Sequence, residues 1–339
     1  MVTEDSSRRA VLSGVAATGL AGLAGCLGGG GVEYTLSTNP AGESLRELAR
    51  QYLQTDPTAE RAKFAVDYPD EYKHSVVRTL LEEGSVEVLQ WQLAYDRQFG
   101  TTTRPRPYFL RDDGTYYSVV ADGQSKLTAT RWVFYLDPVE SEPSDSATVV
   151  TEPPSSLSET DTTVVRRALE IVTSDSGPRD RSDYPLGKRG PIFHDQMDPS
   201  ASDLVPSPPF DYVERDGDYY AAVAQKGAVE LTRYSFTARE VATSMAELER
   251  FVERETVDAR FDGTDLPSGV TEILRTATDV GNGRLYRETG PMSDGLRTIL
   301  ERLGMLDHMP ENVESESVRF AGATFRYDGT WYHGSFWTR

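Results

Sequence analysis

The sequence is poor in the residue types that carry much of protein chemistry. Its 339 residues include one cysteine and four histidines. Because Cys26 has no second thiol to pair with, the chain cannot close an internal disulfide. His74, His194, His308 and His333 are scattered along the chain, and none has the His-Glu-X-X-His spacing of a zinc hydrolase. The sequence therefore predicts no metal site and no cofactor.

The motifs of common enzyme active sites are also missing. The sequence has no Gly-X-Gly-X-X-Gly fingerprint and no P-loop, and its mature part has no Gly-X-Ser-X-Gly nucleophile elbow. Acidic residues gather around Asp113, Asp216 and Asp262, where carboxylate oxygens could hold a hard cation. None of these segments has the length or ligand count of a calcium-binding loop, so we interpret them as solvated turns. The sequence predicts no catalytic residue, and a hydrolase that uses a carboxylate pair is the least favoured alternative.

Positive charge is scarce, and lysine is scarcer still. The chain has 35 basic and 54 acidic residues, hence a net charge of -19, and its lysines are Lys63, Lys73, Lys126, Lys188 and Lys226. Binding a phosphate backbone needs a long basic patch, so we predict no nucleic-acid partner. This acidic, lysine-poor composition is similar to that of proteins from salt-loving archaea, in which salt screens the self-repulsion. Hydrophobic residues make up 38% of the chain, enough for a folded core.

The N-terminus carries the features of an export signal. Arg8 and Arg9 precede an apolar run, residues 10–25, that is too short and too rich in glycine for a permanent membrane span. The run has the length of the apolar region of a secretory signal peptide. Residues 7–12 resemble the twin-arginine signal, which is an address read by a receptor. Residues 23–26 resemble a lipobox that ends at Cys26.

These resemblances imply a signal peptide at residues 1–25, and a lipidated Cys26 with a glycine-rich tether at residues 26–32. They imply two partners, the twin-arginine export machinery and the membrane, which the protein contacts through the lipid on Cys26. The implied location is the cell membrane, with the body on the extracellular side. Two alternatives stay open: a cysteine that merely follows an ordinary signal peptide, and an apolar run that remains as an uncleaved anchor.

Three segments share one hairpin signature. In each, an aromatic or β-branched run leads to an Asp-Gly pair and resumes with two aromatic residues; the pairs are Asp113-Gly114, Asp216-Gly217 and Asp328-Gly329. Asp-Gly accepts positive φ at both central positions of a tight turn, as a two-residue hairpin loop requires. Residues 127–134 and 231–236 predict a third strand after the first two hairpins.

The aromatic pairs that follow the three turns are Tyr116-Tyr117, Tyr219-Tyr220 and Trp331-Tyr332. Alternate side chains of a strand point to opposite faces, so one ring of each pair points away from the local helix. We expect these rings to pack between neighbouring units, and a surface for a partner or ligand is the alternative.

An amphipathic helix is predicted before each hairpin, because apolar residues recur with helical spacing around Leu80, Val165 and Ile273. Residues 86–95 could form either a strand or a helix, and residues 175–209 are interpreted as a long loop. Further helices are predicted around Leu48, from Met245 to Val257, and from Ser293, its cap, to the stop at Gly304.

The sequence thus predicts an α+β fold of three repeated units, each a helix packed on a small antiparallel sheet of two to three strands. After the signal and tether, the predicted organisation is an N-terminal helix with the first unit (residues 33–140), a linker (141–160), a second unit (161–256) and a third unit (257–339).

A helix followed by a Tyr-Asp-Gly-Thr-Tyr-Tyr-like hairpin resembles uncharacterised domains of lipid-anchored haloarchaeal proteins. The resemblance covers most of residues 60–339, implies a fold type and brings no catalytic residue. We therefore expect a cell-surface, lipid-anchored, non-enzymatic protein with a structural or interaction role. A ligand- or solute-binding lipoprotein is the alternative. The partner to look for is a cell-surface protein or a small-molecule ligand.

Overall fold

The structure is a computed structural model of the chain. It describes residues 31–94, 98–99, 104–174, 181, 183–263, 265–310 and 317–339. Arg8, Arg9 and Cys26, which carry the export and lipidation predictions, lie outside the described residues.

Within the described ranges the chain forms six α-helices and thirteen strands. The helices are α1 (Leu45–Tyr52), α2 (Asp70–Glu83), α3 (Glu159–Thr173), α4 (Met245–Thr256), α5 (Ser268–Thr278) and α6 (Asp294–Arg302). The strands are β1 (Glu33–Gly42), β2 (Ser85–Leu89), β3 (Gln98–Phe99), β4 (Arg104–Pro105), β5 (Phe109–Asp112), β6 (Thr115–Val139), β7 (Val149–Val150), β8 (Tyr212–Arg215), β9 (Asp218–Ala242), β10 (Val257–Arg260), β11 (Leu285–Thr289), β12 (Arg319–Tyr327) and β13 (Thr330–Thr338). The predicted α+β class is confirmed.

Two mixed sheets dominate the fold. One has five strands in the order β10-β12-β13-β1-β11. The other has six strands in the order β5-β6-β9-β8-β7, with β2 paired to β9, and β3 and β4 form a small separate ladder. Both sheets combine antiparallel ladders with one parallel pair, β10 with β12 and β7 with β8.

The three predicted hairpins form, and each turns at its Asp-Gly pair. The φ angles are 40° and 84° at Asp113 and Gly114, and 46° and 80° at Asp328 and Gly329. The middle turn is equivalent, with 56° at Asp216 and 88° at the glycine that follows. Positive φ at both central residues matches the twist of paired strands.

The predicted arrangement of sheets was wrong in one respect, because two large sheets replace one small sheet per hairpin. Residues 127–134 and 231–236, predicted as separate third strands, are the second halves of β6 and β9, which are 25 residues long. These two strands pair with each other from Tyr116 to Val139. Pairing with a distant strand covers edges that a two-stranded hairpin would leave open.

The predicted helices are confirmed, and local capping explains where several begin. The hydroxyls of Ser44 and Ser244 accept hydrogen bonds from the backbone N–H groups of Glu47 and Glu247, at 3.2 and 3.3 Å. The two glutamate carboxylates accept in return from the backbone N–H groups just before the serines. Each pair is therefore a variant of the capping box, shifted by one residue on the glutamate side, that fixes the start of α1 or α4. At α6 the Ser293 hydroxyl accepts from the Leu296 N–H without a reciprocal bond, and Gly304, at φ 66°, follows the end of the helix.

Two segments that the sequence left open or irregular are now defined. Residues 85–89 form strand β2, which pairs antiparallel with β9. In the described part of residues 175–209 the chain has two short 3₁₀ turns, Leu186–Lys188 and Pro199–Ala201, and is otherwise irregular. The irregular segment is nevertheless well packed, because Ile192, Phe193 and His194 are buried.

Strand β1 and the second half of β9 occupy matching places in the two sheets. Leu36 of β1 pairs with Tyr286 of β11, and Phe236 of β9 pairs with Val86 of β2. The positions correspond with an offset of 200 residues: Leu36 to Phe236, and Val86 to Tyr286. In the first pair β1 precedes its partner along the chain. In the second pair β9, the strand that corresponds to β1, follows its partner.

The same correspondence holds on the other side of these strands. β1 pairs with β13, and the ladder shifts by one residue between Pro40 and Gly42. β9 pairs with the first half of β6, and the ladder shifts between Glu240 and Ala242. A bulge at an equivalent position bends both strands just before α1 and α4 begin.

Among the described residues, the buried side chains form four clusters. One of them, the junction cluster, combines residues of both sheets with α1 and α4, which pack against each other. Its buried members are Ala41, Leu48, Ala49, Tyr52, Phe109, Tyr116, Ala242, Leu248, Val252 and Trp331. Tyr116 is 4% exposed and Trp331 is 2% exposed, so these two rings are buried.

Candidate functional site

A charged, open groove of about 800 Å³ lies on the surface of the described chain, and we call it the basic groove. Its walls come from residues 61–65, from α3 near its C-terminal end and from the irregular segment around Gly187, Gly190 and Ile192. Gln90, Lys126, Glu230 and Thr232 complete its lining. The volume lies in the range of small-molecule binding sites.

The irregular wall approaches the sheet so closely that a side chain is excluded at one position. A Cβ atom on Gly190 would lie 2.1 Å from the carbonyl oxygen of Phe134. Phe134 N–H donates to the carbonyl of Pro191 at 3.1 Å, and Val133 forms an antiparallel bridge with Ile192. Glycine at 190 thus lets this wall of the basic groove lie directly against β6.

Cations outnumber carboxylates in the basic groove. Its cationic residues are Arg61, Lys63, Lys126, Arg167 and Lys188, and its acidic residues are Glu170 and Glu230. Three of the five lysines of the chain therefore line one groove. The surrounding protein has a net charge of -19, so this concentration of positive charge is local.

Two of the cations have an acidic partner. Lys126 Nζ lies 3.1 Å from Glu230 and donates to the hydroxyl of Thr232 at 2.9 Å, and Arg167 pairs with Glu170. Lys63 Nζ donates to the hydroxyl of Tyr234 at 2.6 Å and has no carboxylate within salt-bridge distance among the described residues.

Arg61 and Lys188 are exposed, and within the described ranges their side chains make no ion pair. Together with Lys63 they leave three positive charges of the basic groove without a carboxylate partner in the part of the chain that the structure describes.

Gln90 holds the floor of the basic groove in an unusual backbone conformation. It has φ 57°, which is uncommon for a residue other than glycine, and it follows the end of β2. Its backbone N–H donates to the carbonyl of Thr232 at 2.7 Å, and its side-chain oxygen accepts from the Thr232 N–H. Its backbone carbonyl accepts from the Lys63 N–H. Gln90 therefore joins the wall that carries Lys63 to strand β9.

A second polar cluster surrounds His194, which is 3% exposed. Its Nδ1 accepts from the Gln196 N–H at 3.2 Å, so Nε2 carries the proton and donates to the carbonyl of Asp67 at 3.3 Å. The rings of Phe64 and Tyr68 lie 5.2 and 4.6 Å away. Burial lowers the pKa of His194, which favours this neutral form.

Beside this histidine, Lys73 and Asp67 form an ion pair that is largely withdrawn from water. Lys73 Nζ also donates to the carbonyl of Thr58 at 2.9 Å. The Asp67 carboxylate accepts further from the backbone N–H groups of Ala62 and Tyr68, at 2.7 and 2.9 Å. These bonds fix the segment that leads into the basic groove, so we interpret the pair as structural.

His333 lies on β13 near the junction cluster. Its Nε2 is 3.0 Å from the side-chain oxygen of Gln51, and its Nδ1 is 3.3 Å from the hydroxyl of Thr324. Burial, with a contribution from the positive charge of Arg106, lowers the pKa of His333 to about 4. A small cavity of about 110 Å³ lined by Gln51 and Arg106 lies close by. The histidine is therefore neutral at pH 7 and ties α1 to the sheet.

The structure does not bring the four histidines together. Among the described residues, no group of three or more His, Cys, Asp or Glu side chains could hold a metal ion. The acidic segments around Asp113 and Asp216 are the exposed hairpin turns that the sequence predicted, and Asp262 lies 3.3 Å from Arg326. Arg8, Arg9 and Cys26, the predicted signal and lipidation residues, fall outside the described ranges.

Sequence reasoning missed the basic groove. Its residues come from six separate stretches of chain, and none of them forms a motif. The one available signal was the scarcity of lysine, since Lys63, Lys126 and Lys188 converge although they are far apart in the sequence.

None of the helices in the described ranges has the length and apolar character needed to cross a membrane. Comparisons of the chain with protein-family models, with curated proteins and with solved structures find no match. The candidate site is therefore identified from its geometry and charge alone: it is a groove of about 800 Å³ with a local excess of positive charge.

Proposed function

We propose that this chain is a non-enzymatic, lipid-anchored cell-surface protein with a structural or interaction role. One observation carries the non-enzymatic part. The side chains best suited to acid–base work, His194, His333 and Lys73, are each engaged by hydrogen bonds from other parts of the chain. These bonds join distant segments of the chain, which supports a structural role for the three side chains.

The anchoring part rests on Arg8, Arg9 and Cys26. After Cys26 the glycine-rich tether is only a few residues long, and β1 already begins at Glu33. A chain spans at most about 3.6 Å per residue, so such a tether would hold the body close to the membrane surface. Stable attachment needs two acyl chains on Cys26 or an additional contact.

The anchor is tested by fractionating cells that express the wild-type protein or Cys26→Ser. We expect the wild-type protein in membranes and Cys26→Ser in the medium. A Ser13→Ala change in the apolar run is the matched control and should stay membrane-bound. If Cys26→Ser also stays in membranes, the lipidated-cysteine proposal fails and an uncleaved anchor replaces it. Lysine at both Arg8 and Arg9 should retain the precursor inside the cell, because the export receptor reads the arginine pair.

We also propose that the body consists of three copies of one unit. The same order of elements supports this: a short parallel strand or bridge, a helix, then an Asp-Gly hairpin. In the first copy the parallel bridge joins Leu53 to Phe109 and the helix is α2. In the second and third copies the parallel strands are β7 and β10, and the helices are α3 and α5.

Equivalent strand pairs and bulges support a specific alignment of the first copy with the third. Leu36–Tyr286 and Phe236–Val86 are equivalent pairs, and the bulges before α1 and α4 fall at equivalent positions. On this proposal the first and third copies exchange their leading strands, while the middle copy pairs the second half of β6 with its own hairpin strand, β9. The exchange would explain why two large sheets arise from three similar units.

A ligand-binding lipoprotein is the second candidate, and the basic groove favours it. The groove lies between the proposed first copy, which supplies Lys63 and Gln90, and the second copy, which supplies Arg167 and Lys188. Clefts between structural units are common places for small-molecule sites.

A further inference from the structure

We infer that the basic groove binds a small organic oxyanion that carries at least two negative charges, in the form of phosphate or carboxylate groups. This inference deepens the ligand-binding candidate and rests on it. It follows from three features of the groove: its charge, the origin of its cations and the donors on its floor.

The first feature is the sign of the charge. Five cations against two carboxylates line the groove of a protein whose net charge is -19. Unpaired like charges repel one another, so a folded chain gains nothing by gathering them unless an anion is present to neutralise them. A concave surface between low-dielectric walls also concentrates the field and draws counter-ions into it.

The second feature is the placement of the cations without a carboxylate partner among the described residues. Arg61 and Lys63 belong to the segment that precedes α2, whereas Lys188 ends a 3₁₀ turn in the long irregular segment. A single small ion can neutralise one such centre. The unpartnered cations lie on separate segments, so a ligand that neutralises all of them must carry at least two anionic groups.

The third feature is the supply of hydrogen-bond donors. The side-chain oxygen of Gln90 is occupied by the Thr232 N–H, so its amide NH₂ remains as a donor. The Gln90 backbone at φ 57° keeps this amide in place, and sparsely populated conformations of this kind cluster at ligand sites. Ammonium, guanidinium and amide donors together match phosphate and carboxylate oxygens, which only accept hydrogen bonds.

The inference is tested by titration calorimetry on the full-length, detergent-solubilised protein, at the lowest salt concentration at which it stays folded. The probes are pyrophosphate and citrate, with trehalose as a neutral control and spermidine as a cationic control. We expect at least one anion to bind, neither control to bind, and the affinity to fall as sodium chloride is added. Pyrophosphate alone would identify a phosphate ligand, and citrate alone a carboxylate ligand.

The variant Lys63→Gln/Lys188→Gln removes two of the unpartnered charges, and we expect it to weaken anion binding at least tenfold. Lys226→Gln removes a lysine that lies 6.0 Å from the ring of Trp132, outside the groove, and should bind like the wild type. Lys188→Gln alone, at an exposed side chain, is the second variant in case the double change disturbs folding, and it should weaken binding about threefold.

Failure takes two distinguishable forms. If the wild-type protein binds trehalose and neither anion, the ligand-binding candidate stands and the anionic class is wrong. If it binds none of the probes, or if the double variant binds the anions as tightly as the wild type does, the basic groove is not the site and the inference is overturned.

Discussion

Tyr116 and Trp331 are buried in one hydrophobic cluster although they belong to different sheets. Each is the first aromatic residue after an Asp-Gly turn, at the start of β6 and β13 respectively. Their partners across the ladder, Ala242 and Gly42, sit at the two equivalent bulges. The contact between the sheets is thus built from the repeated hairpin signature itself.

Removing either ring should destabilise the whole body. Truncating a large, fully buried aromatic side chain costs about 3–5 kcal/mol in the free energy of unfolding, because it leaves a cavity. We expect Trp331→Ala to fall in this range and Tyr116→Ala near its lower end, measured by denaturant unfolding at fixed salt. Tyr219→Ala is the matched control at a half-buried ring. A cost for Trp331→Ala no larger than that for the control would contradict the role of the junction cluster.

Alanine substitutions at the turn glycines test whether positive φ requires glycine at these positions. Gly114, Gly217 and Gly329 have φ of 84°, 88° and 80°, and at each of them a Cβ atom would meet no other atom within 4 Å. Alanine there should lower the free energy of unfolding by about 1–2 kcal/mol through backbone strain alone. Gly123 has equally open space without positive φ, so Gly123→Ala should be near neutral or slightly stabilising. Equal effects at all four positions would show that φ is not the cause.

The free energy of unfolding should depend on pH because His333 has a different pKa in the folded and unfolded protein. Its pKa is about 4 in the folded protein, against an ordinary value near 6.5. Between these values the unfolded chain binds more protons than the folded one. Stability is therefore greatest above pH 6.5 and declines as the pH falls towards 4, by about 3 kcal/mol at most.

Denaturant unfolding of His333→Gln between pH 4 and 8 tests this prediction. In this variant the free energy of unfolding should depend less on pH, because the contribution of His333 is removed. The contribution of His194, whose pKa is also lowered, should remain. His74→Gln, at an exposed position on α2, should keep the wild-type profile. Parallel profiles for His333→Gln and the wild type would rule out the assignment.

The Lys73–Asp67 pair should be important for folding. Lys73→Met leaves the Asp67 carboxylate without its cation, and breaking such a pair costs about 3 kcal/mol or more when the groups are buried. Asp67 keeps partial access to water, so we expect the lower end of that range. Lys226→Met, at an exposed lysine, is the control and should change the free energy of unfolding by less than about 0.5 kcal/mol.

The local features of this fold were predictable from the sequence. Asp-Gly pairs, serine caps and apolar stripes act within a few residues, so the three hairpins and the helices were found. The ladder between β6 and β9 was not, because register between distant strands depends on which faces are buried in the assembled protein. Residues 86–95 stayed ambiguous for the same reason, since β2 becomes a strand by pairing with β9.

The candidate site was less predictable than the fold. Gln90, Lys63 and Lys188 come together only after α2, β9 and the irregular segment have packed. The positive φ of Gln90 has no sequence signal, because it is imposed by its three hydrogen bonds to neighbouring segments.

The place of β1 sets the order in which the molecule can be completed. Its two neighbours, β11 and β13, both lie more than 200 residues further along the chain, and Glu33 exchanges two backbone hydrogen bonds with Arg339. The edge of β1 that pairs with β13 must therefore stay open until β13 has been synthesised. On the proposal that the twin-arginine route exports this protein in its folded state, only a chain that includes β13 could be exported. Closing this sheet would thus act as a completeness check before the protein leaves the cell.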